Sequence, residues 1–210
     1  MSETKDQREW IIAHSAEMFQ RLGVKAVRMD DIAQELGISK RTIYALFSDK
    51  EELIYLAMQH LFKLRMEQHR AICASAENEL AGMFYVMDEF FEHAEAHHRL
   101  STNIRRFYPQ IYDRLLQDGR KANMYGLRTM IERGIEKGYF LKEMNLDITI
   151  RIFNTISQSI HNEQGYTLPE GITMRRAFLQ VIKTLFRGIS TAEGIALIDR
   201  YARENAVKYE

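Results

Sequence analysis

The sequence predicts an all-α fold: a small head of three N-terminal helices, joined through a shared fourth helix to a C-terminal helical bundle. Three observations carry the prediction. Only two prolines, Pro109 and Pro169, occur in 210 residues. The glycines fall mostly where a helical pattern stops, and apolar residues recur at helical spacing from the first segment onward.

The first segment, about Thr4 to Leu22, sets Ile11, Ser15, Met18, Phe19 and Leu22 on one face with charged residues opposite, and Gly23 caps its end. A short helix from about Met29 to Leu36 is closed by Gly37. Ser39 caps a third, Lys40 to Phe47. The fourth opens at Ser48-Asp49-Lys50-Glu51-Glu52, where acidic residues suit the positive end of the helix dipole, and runs to about Cys73. Longer helices follow at about Glu77 to His98, Ile104 to Gln117, Gly119 to Lys137, Asp147 to Glu163 and Thr173 to Phe186, with a last short one from Thr191 to Glu204. No internal repeat or long linker interrupts them. The domain reading is therefore residues 1–50 as the head and 51–210 as the body.

Composition narrows the class. With 46% hydrophobic and 28% charged residues the chain is globular rather than disordered. The N-terminal Met1-Ser2-Glu3-Thr4-Lys5-Asp6 lacks the basic start and apolar run of a signal peptide, and no run approaches the ~18 apolar residues of a membrane span. The expected location is cytoplasmic. A single cysteine, Cys73, forms no internal disulfide, and no Cys/His array has zinc spacing. The 29 basic and 29 acidic residues cancel, so any attraction to nucleic acid depends on local placement of charge.

The informative stretch is Asp30-Asp31-Ile32-Ala33-Gln34-Glu35-Leu36-Gly37-Ile38-Ser39-Lys40-Arg41-Thr42-Ile43-Tyr44-Ala45-Leu46-Phe47, which reads as a helix-turn-helix. Ile32, Ala33 and Leu36 give the first helix its inner face, small Ala33 allows close approach, and Gly37 permits the turn. On the second helix Ile43, Leu46 and Phe47 point inward. At 100° per residue this leaves Lys40, Arg41 and Tyr44 outward with Thr42 at the edge. Cations, a hydroxyl and a phenol at the start of a second helix suit phosphate and base-edge contacts in a major groove.

These residues, taken in order over the first fifty or so, resemble the TetR family of bacterial regulators. The helix with Ala16, Met18 and Phe19 before Gly23 looks like the family's first helix, and Asp31-Ile32-Ala33 through Gly37-Ile38-Ser39 like its second helix and turn. Thr42-Ile43-Tyr44 with Phe47, then Lys50-Glu51-Glu52-Leu53, look like the recognition helix and the start of the fourth. The resemblance implies a DNA-facing set of Arg28, Ser39, Lys40, Arg41, Thr42, Tyr44 and Lys50. Lys40, Arg41 and Thr42 would approach bases or nearby phosphates, and Tyr44 and Lys50 would hold the backbone. Arg28 and Val27 depart from the hydroxyl residues common there, which leaves Arg28 to reach a phosphate.

In the body the resemblance implies a ligand pocket and a dimer contact. Candidate ligand residues are the aromatics Phe91, Tyr108, Tyr112, Tyr125 and Phe153, with the polar His93, Asn154, Gln158 and His161 on otherwise apolar faces. Most such aromatics are equally suited to the core. Pro109 either kinks or starts a helix beside Tyr108 and Tyr112. Ile150, Ile160, Phe178, Ile182 and Leu185 are the candidate dimer residues on the last two long helices, and serve equally as internal core. His93, His97, His98 and Glu89 have helix spacing for a metal but no further strong ligands, so no metal or other cofactor is expected. The expected function is a ligand-responsive regulator, most simply a repressor. It would bind a near-palindromic double-stranded operator as a homodimer and be released by a small, largely apolar effector. Two rivals remain: a helical adaptor without DNA affinity, and an enzyme built on His69 and Cys73.

Overall fold

The computed structural model describes residues 2–161 and 169–207, with side chains over 4–156 and 169–204. Ten α-helices and no strand occur among the described residues. The helices are α1 (Ser2–Leu22), α2 (Met29–Glu35), α3 (Lys40–Leu46), α4 (Lys50–Ser75), α5 (Glu79–Glu92), α6 (Ala94–Phe107), α7 (Pro109–Glu136), α8 (Leu146–His161), α9 (Met174–Gly188) and α10 (Ala192–Val207). The far end of the helix expected to reach Glu163 lies outside the described residues, as do the side chains of Gln158, Ile160 and His161.

Two hydrophobic cores divide these helices into two compact units, residues 1–70 with 92–119, and residues 71–91 with 120–210. Compactness therefore does not divide the chain at residue 50. The first core is built from Ile11, Ala16 and Phe19 of α1, Ile32 of α2, Ile43 of α3, and Leu53, Ile54 and Ala57 of α4. Ile104 of α6 completes it, with Tyr108, Tyr112 and Leu115 packed against it. Residues of α6 and the start of α7 thus share this core with α1 to α4. Tyr55 on α4 is fixed there: its hydroxyl donates to Asp118 Oδ2 at 2.7 Å and accepts from Gln59 Nε2 at 2.6 Å. The Arg114 guanidinium lies 3.7 Å from the centre of its ring.

Leu22, expected on the buried face of α1, is 52% exposed. Gly23, at φ +83°, turns the chain immediately after it, and Val24 and Val27 fill the core instead.

The second core joins Leu80, Phe84 and Met87 of α5, Ile131 of α7, Phe140, Ile150 of α8, Ile182 and Phe186 of α9, and Ile198 and Tyr201 of α10. Its rim is a backbone lock between the loops after α7 and α9. Leu141 N–H donates to Ile189 O at 2.8 Å, Thr191 N–H to Tyr139 O at 3.0 Å, and the Thr191 hydroxyl to Gly138 O at 2.7 Å.

Three expected boundaries move. The helix read as Glu77 to His98 is two helices broken at His93, whose φ of −106° and ψ of 6° leave the helix. The apolar stripe of α5 serves one core and Leu100 and Ile104 of α6 the other, so the break falls where the chain passes from one unit to the other. Conversely, α7 runs unbroken through Gly119. A glycine inside a helix costs about 1 kcal/mol, too little to break a helix held at both ends. Pro109 is the first residue of α7, where its missing N–H is no loss, and not a kink.

Candidate nucleic-acid interface

The turn between α2 and α3 follows from its sequence. Leu36 ends α2, Gly37 takes φ +64°, and two C-terminal bonds close the motif: Gly37 N–H to Gln34 O at 3.2 Å and Ile38 N–H to Ala33 O at 3.0 Å. Ser39 then caps α3, its hydroxyl oxygen accepting from Thr42 N–H at 3.0 Å and lying 2.8 Å from the Thr42 hydroxyl. With Ile43 and Phe47 buried and Leu46 half-buried, rotation around α3 leaves Lys40, Arg41 and Tyr44 in solvent and Thr42 half-buried. Tyr44 is 47% exposed, a large ring held in water at the tip of a helix.

Behind this face, α3 is seated by α1 and α4. Arg8 stacks over the Phe47 ring at 5.0 Å and donates to Glu52 Oε1 at 3.1 Å. Glu52 Oε2 also accepts from both the backbone N–H and the hydroxyl of Ser48 at 2.8 Å each. The Ser48 backbone bond, then its hydroxyl, then Arg8 hold the Glu52 carboxyl below its ordinary range against a modest opposing effect of burial.

Arg28 stands exposed immediately before α2, its backbone N–H donating to Asp31 Oδ2 at 2.7 Å. Lys50 begins α4 with its ammonium 5.7 Å from the Tyr108 ring centre. All seven expected DNA-facing residues thus lie in one unit, five at the loop-to-helix edges of α2 and α3, Tyr44 one turn further along α3, and Lys50 at the start of α4. One partner was not expected. Lys40 Nζ is 2.7 Å from Asp30 Oδ1, and its pKa is raised mainly by that hydrogen bond and charge. Periodicity places both residues in first turns but says nothing of two helices crossing.

Residues 11–55 match the profile of bacterial regulatory proteins of the tetR family. The chain carries a TetR-family head. Over nearly its whole length it is similar to the HTH-type transcriptional repressor KstR2 of Mycobacterium tuberculosis, 25% identical over 92% of this chain and 97% of the relative. Solved structures show the same fold. A transcriptional regulator from Cytophaga hutchinsonii matches with a TM-score of 0.69 at 17% identity, covering 87% of this chain and 98% of its own. Another from Saccharomonospora viridis, solved in complex with choline, gives 0.59 at 17% identity over 89% and 99%.

The expected ligand residues are shared between the two units. Tyr108 and Tyr112 pack against the first core, and exposed His93 lies in that same unit. Phe91, Phe153 and Asn154 belong to the second unit, as does Tyr125, which is 71% exposed. Phe91 and Phe153 both meet Phe178 edge-on, with centroids 5.9 and 6.3 Å away, and Phe153 meets Phe186 at 5.5 Å. Asn154 Nδ2 is buried without a hydrogen-bond partner.

Sequence reasoning missed the ion pair of Asp88 and Arg175, whose side chains are only 12% and 13% exposed, with the guanidinium 5.8 Å from the Phe91 ring centre. Asp88 was legible as a charge inside the apolar stripe of Phe84, Met87 and Phe91; Arg175 was not. Of the dimer candidates, Ile150 and Ile182 are buried in the second core, and Phe178 and Leu185 are half-buried against it.

Cys73 is exposed with its sulfur beside Gly82, and desolvation pushes its thiol up, away from the thiolate a nucleophile needs. No helix of the described residues is long and apolar enough to cross a membrane.

Proposed function

We propose that the protein is a ligand-responsive transcriptional repressor that binds a near-palindromic operator as a homodimer and is released by a small, largely apolar effector. The observation that carries the DNA-binding part is the solvent-facing tip of α3. Lys40, Arg41 and Tyr44 stand outward from a capped helix whose opposite side is locked into the head's core. Donors on that tip suit phosphates and the acceptor edges of guanine. The repressor name of the Mycobacterium tuberculosis relative supports the sign of regulation.

The effector reading is supported by the aromatic group of Phe91, Phe153 and Phe178, by unpartnered Asn154, and by the choline held in the Saccharomonospora viridis relative. Two clefts in the second unit, one along Met124, Tyr125 and Ile150 and one along Ile131, Phe153 and Phe186, measure about 120 and 90 Å³. Pockets for drug-sized ligands are roughly 300–1,000 Å³, so an effector of that size enters either of these two clefts only if its helices part. That requirement links occupancy to a change of shape.

For the dimer, α8 presents Ile148 and Ile152 at 54% and 46% exposure. Two copies meeting through this face and the outer side of α9 give the two-fold arrangement that a palindromic site requires.

The test is retention of genomic fragments, including those flanking the protein's own gene, at two salt concentrations beside a Lys40→Ala/Tyr44→Ala variant. The reading expects one near-palindromic fragment retained by the wild type, less so at high salt, and lost by the variant. Equal retention by both proteins would sink it.

A further inference from the structure

We infer that Asp30 is a positioning residue of the recognition face: it holds the Lys40 ammonium in an internal ion pair, so that phosphates of non-cognate DNA must compete with a carboxylate for it. The inference rests on the DNA-binding reading and adds to it a determinant of selectivity.

The two acidic residues that open α2 are used differently. Asp31 serves its own helix, accepting the Arg28 N–H at 2.7 Å, whereas Asp30 reaches across to α3 and meets Lys40 Nζ at 2.7 Å. The pair is open to solvent, its side chains 56% and 61% exposed, and exposed pairs of this kind contribute little to folding. Its consequence falls on Lys40, which is held between the Asp30 carboxylate and the Tyr44 ring, 5.9 Å away. Both of those groups lie at the head's proposed contact surface.

Binding without sequence preference depends almost wholly on cations released onto phosphates. A lysine already neutralised by a neighbour adds little to it. In a seated complex the groove supplies ordered acceptors, and exchange of the carboxylate for a phosphate or base edge is compensated by the surrounding contacts. Asp30 therefore weakens sequence-blind encounters more than cognate ones, which raises the ratio between them.

The full-length protein tests this by fluorescence anisotropy on two labelled duplexes, one of random sequence and one enriched from a random pool by the wild type, across a salt series. Asp30→Asn is expected to tighten binding to the random duplex by roughly two- to fivefold at low salt. It should steepen the salt slope by about 0.9 per engaged head and lower the ratio of enriched to random affinity. In a Lys40→Ala background the same change should do almost nothing, since the effect runs through the lysine. Unchanged affinity and slope in Asp30→Asn, or a gain that persists in full without Lys40, overturns the inference while leaving the DNA-binding reading intact. Absence of any salt-dependent affinity in the wild type overturns both. Thermal unfolding of each variant separates a binding change from lost structure.

Discussion

Replacing Arg41 with alanine removes one exposed cation from α3 without touching the head's core. Its effect on DNA affinity can be worked from the geometry. Each head offers Arg28, Lys40, Arg41 and Lys50, so a two-headed complex neutralises up to about eight phosphates, and the slope of log affinity against log salt approaches −7. Raising salt from about 50 to 200 mM then weakens wild-type binding by about 10⁴-fold. Loss of Arg41 from both heads flattens the slope by about 1.8, so the same salt step weakens the variant about twelvefold less. The assay is anisotropy on a duplex enriched by the wild type, at four or more salt concentrations, with melting temperature as the control for folding. A variant that folds normally and keeps the wild-type slope would show that Arg41 lies off the phosphates, and the placement of α3 against DNA would have to be abandoned.

Other expectations bear on the scaffold. A methyl group at Gly194 would lie 2.1 Å from the Tyr139 carbonyl oxygen, so Gly194→Ala must displace the loop and strain the three bonds of the α7–α9 lock; unfolding should show a loss of about 2–3 kcal/mol. Glu52 has a folded-state pKa below its ordinary 4.5, so its contribution is complete above that value and is lost as pH falls through the lowered one. Urea midpoints of Glu52→Gln should therefore trail the wild type at pH 7 and converge with it well below pH 4.5; a constant gap would mean ionisation plays no part. Ile152→Asp, at an exposed position of α8, should leave the fold intact and shift sedimentation toward monomer, whereas an unchanged species would remove this face from the dimer. Asp88→Asn removes the carboxylate paired with Arg175 in a site only 13% exposed and should cost about 3–5 kcal/mol, with Asp88→Asn/Arg175→Met recovering part of it. Equal losses in the single and double variants would refute the pairing.

The head was legible because its signals are local. Gly37, Ser39 and the inward spacing of Ile43, Leu46 and Phe47 each fix geometry within four residues, and together they dictate which side chains of α3 face out. What escaped was set by contact between elements. Leu22 obeys the helical period of α1, yet ends in solvent because the chain turns at Gly23 and Val24 and Val27 take up the core. Gly119 looks like a boundary, yet α7 continues because its first half is held by one core and its second half by the other. Tyr108 and Tyr112 read equally as pocket or core aromatics; both pack against the first core, and Lys50 sits over the Tyr108 ring.

The same distinction explains the unequal legibility of the two proposed sites. DNA presents a regular array of charge, so a contact surface can be recognised from outward donors on a short capped helix, and neither its partner nor the rest of the chain need be known. An effector site is defined by what it excludes and by which polar groups remain unsatisfied inside, and both depend on how distant segments meet. Asp88 is visible in sequence as a misplaced charge, but its meaning depends on Arg175, 87 residues later. An ion pair that is nearly buried is seldom retained for stability, because packed apolar side chains of the same volume usually do as well. Its position beside Phe91, in the aromatic group that also takes in Phe153 and Phe178, gives that region a charged anchor within apolar walls. On the proposed effector reading, a largely apolar molecule bearing one polar or charged group is therefore a better match to this body than a wholly apolar one.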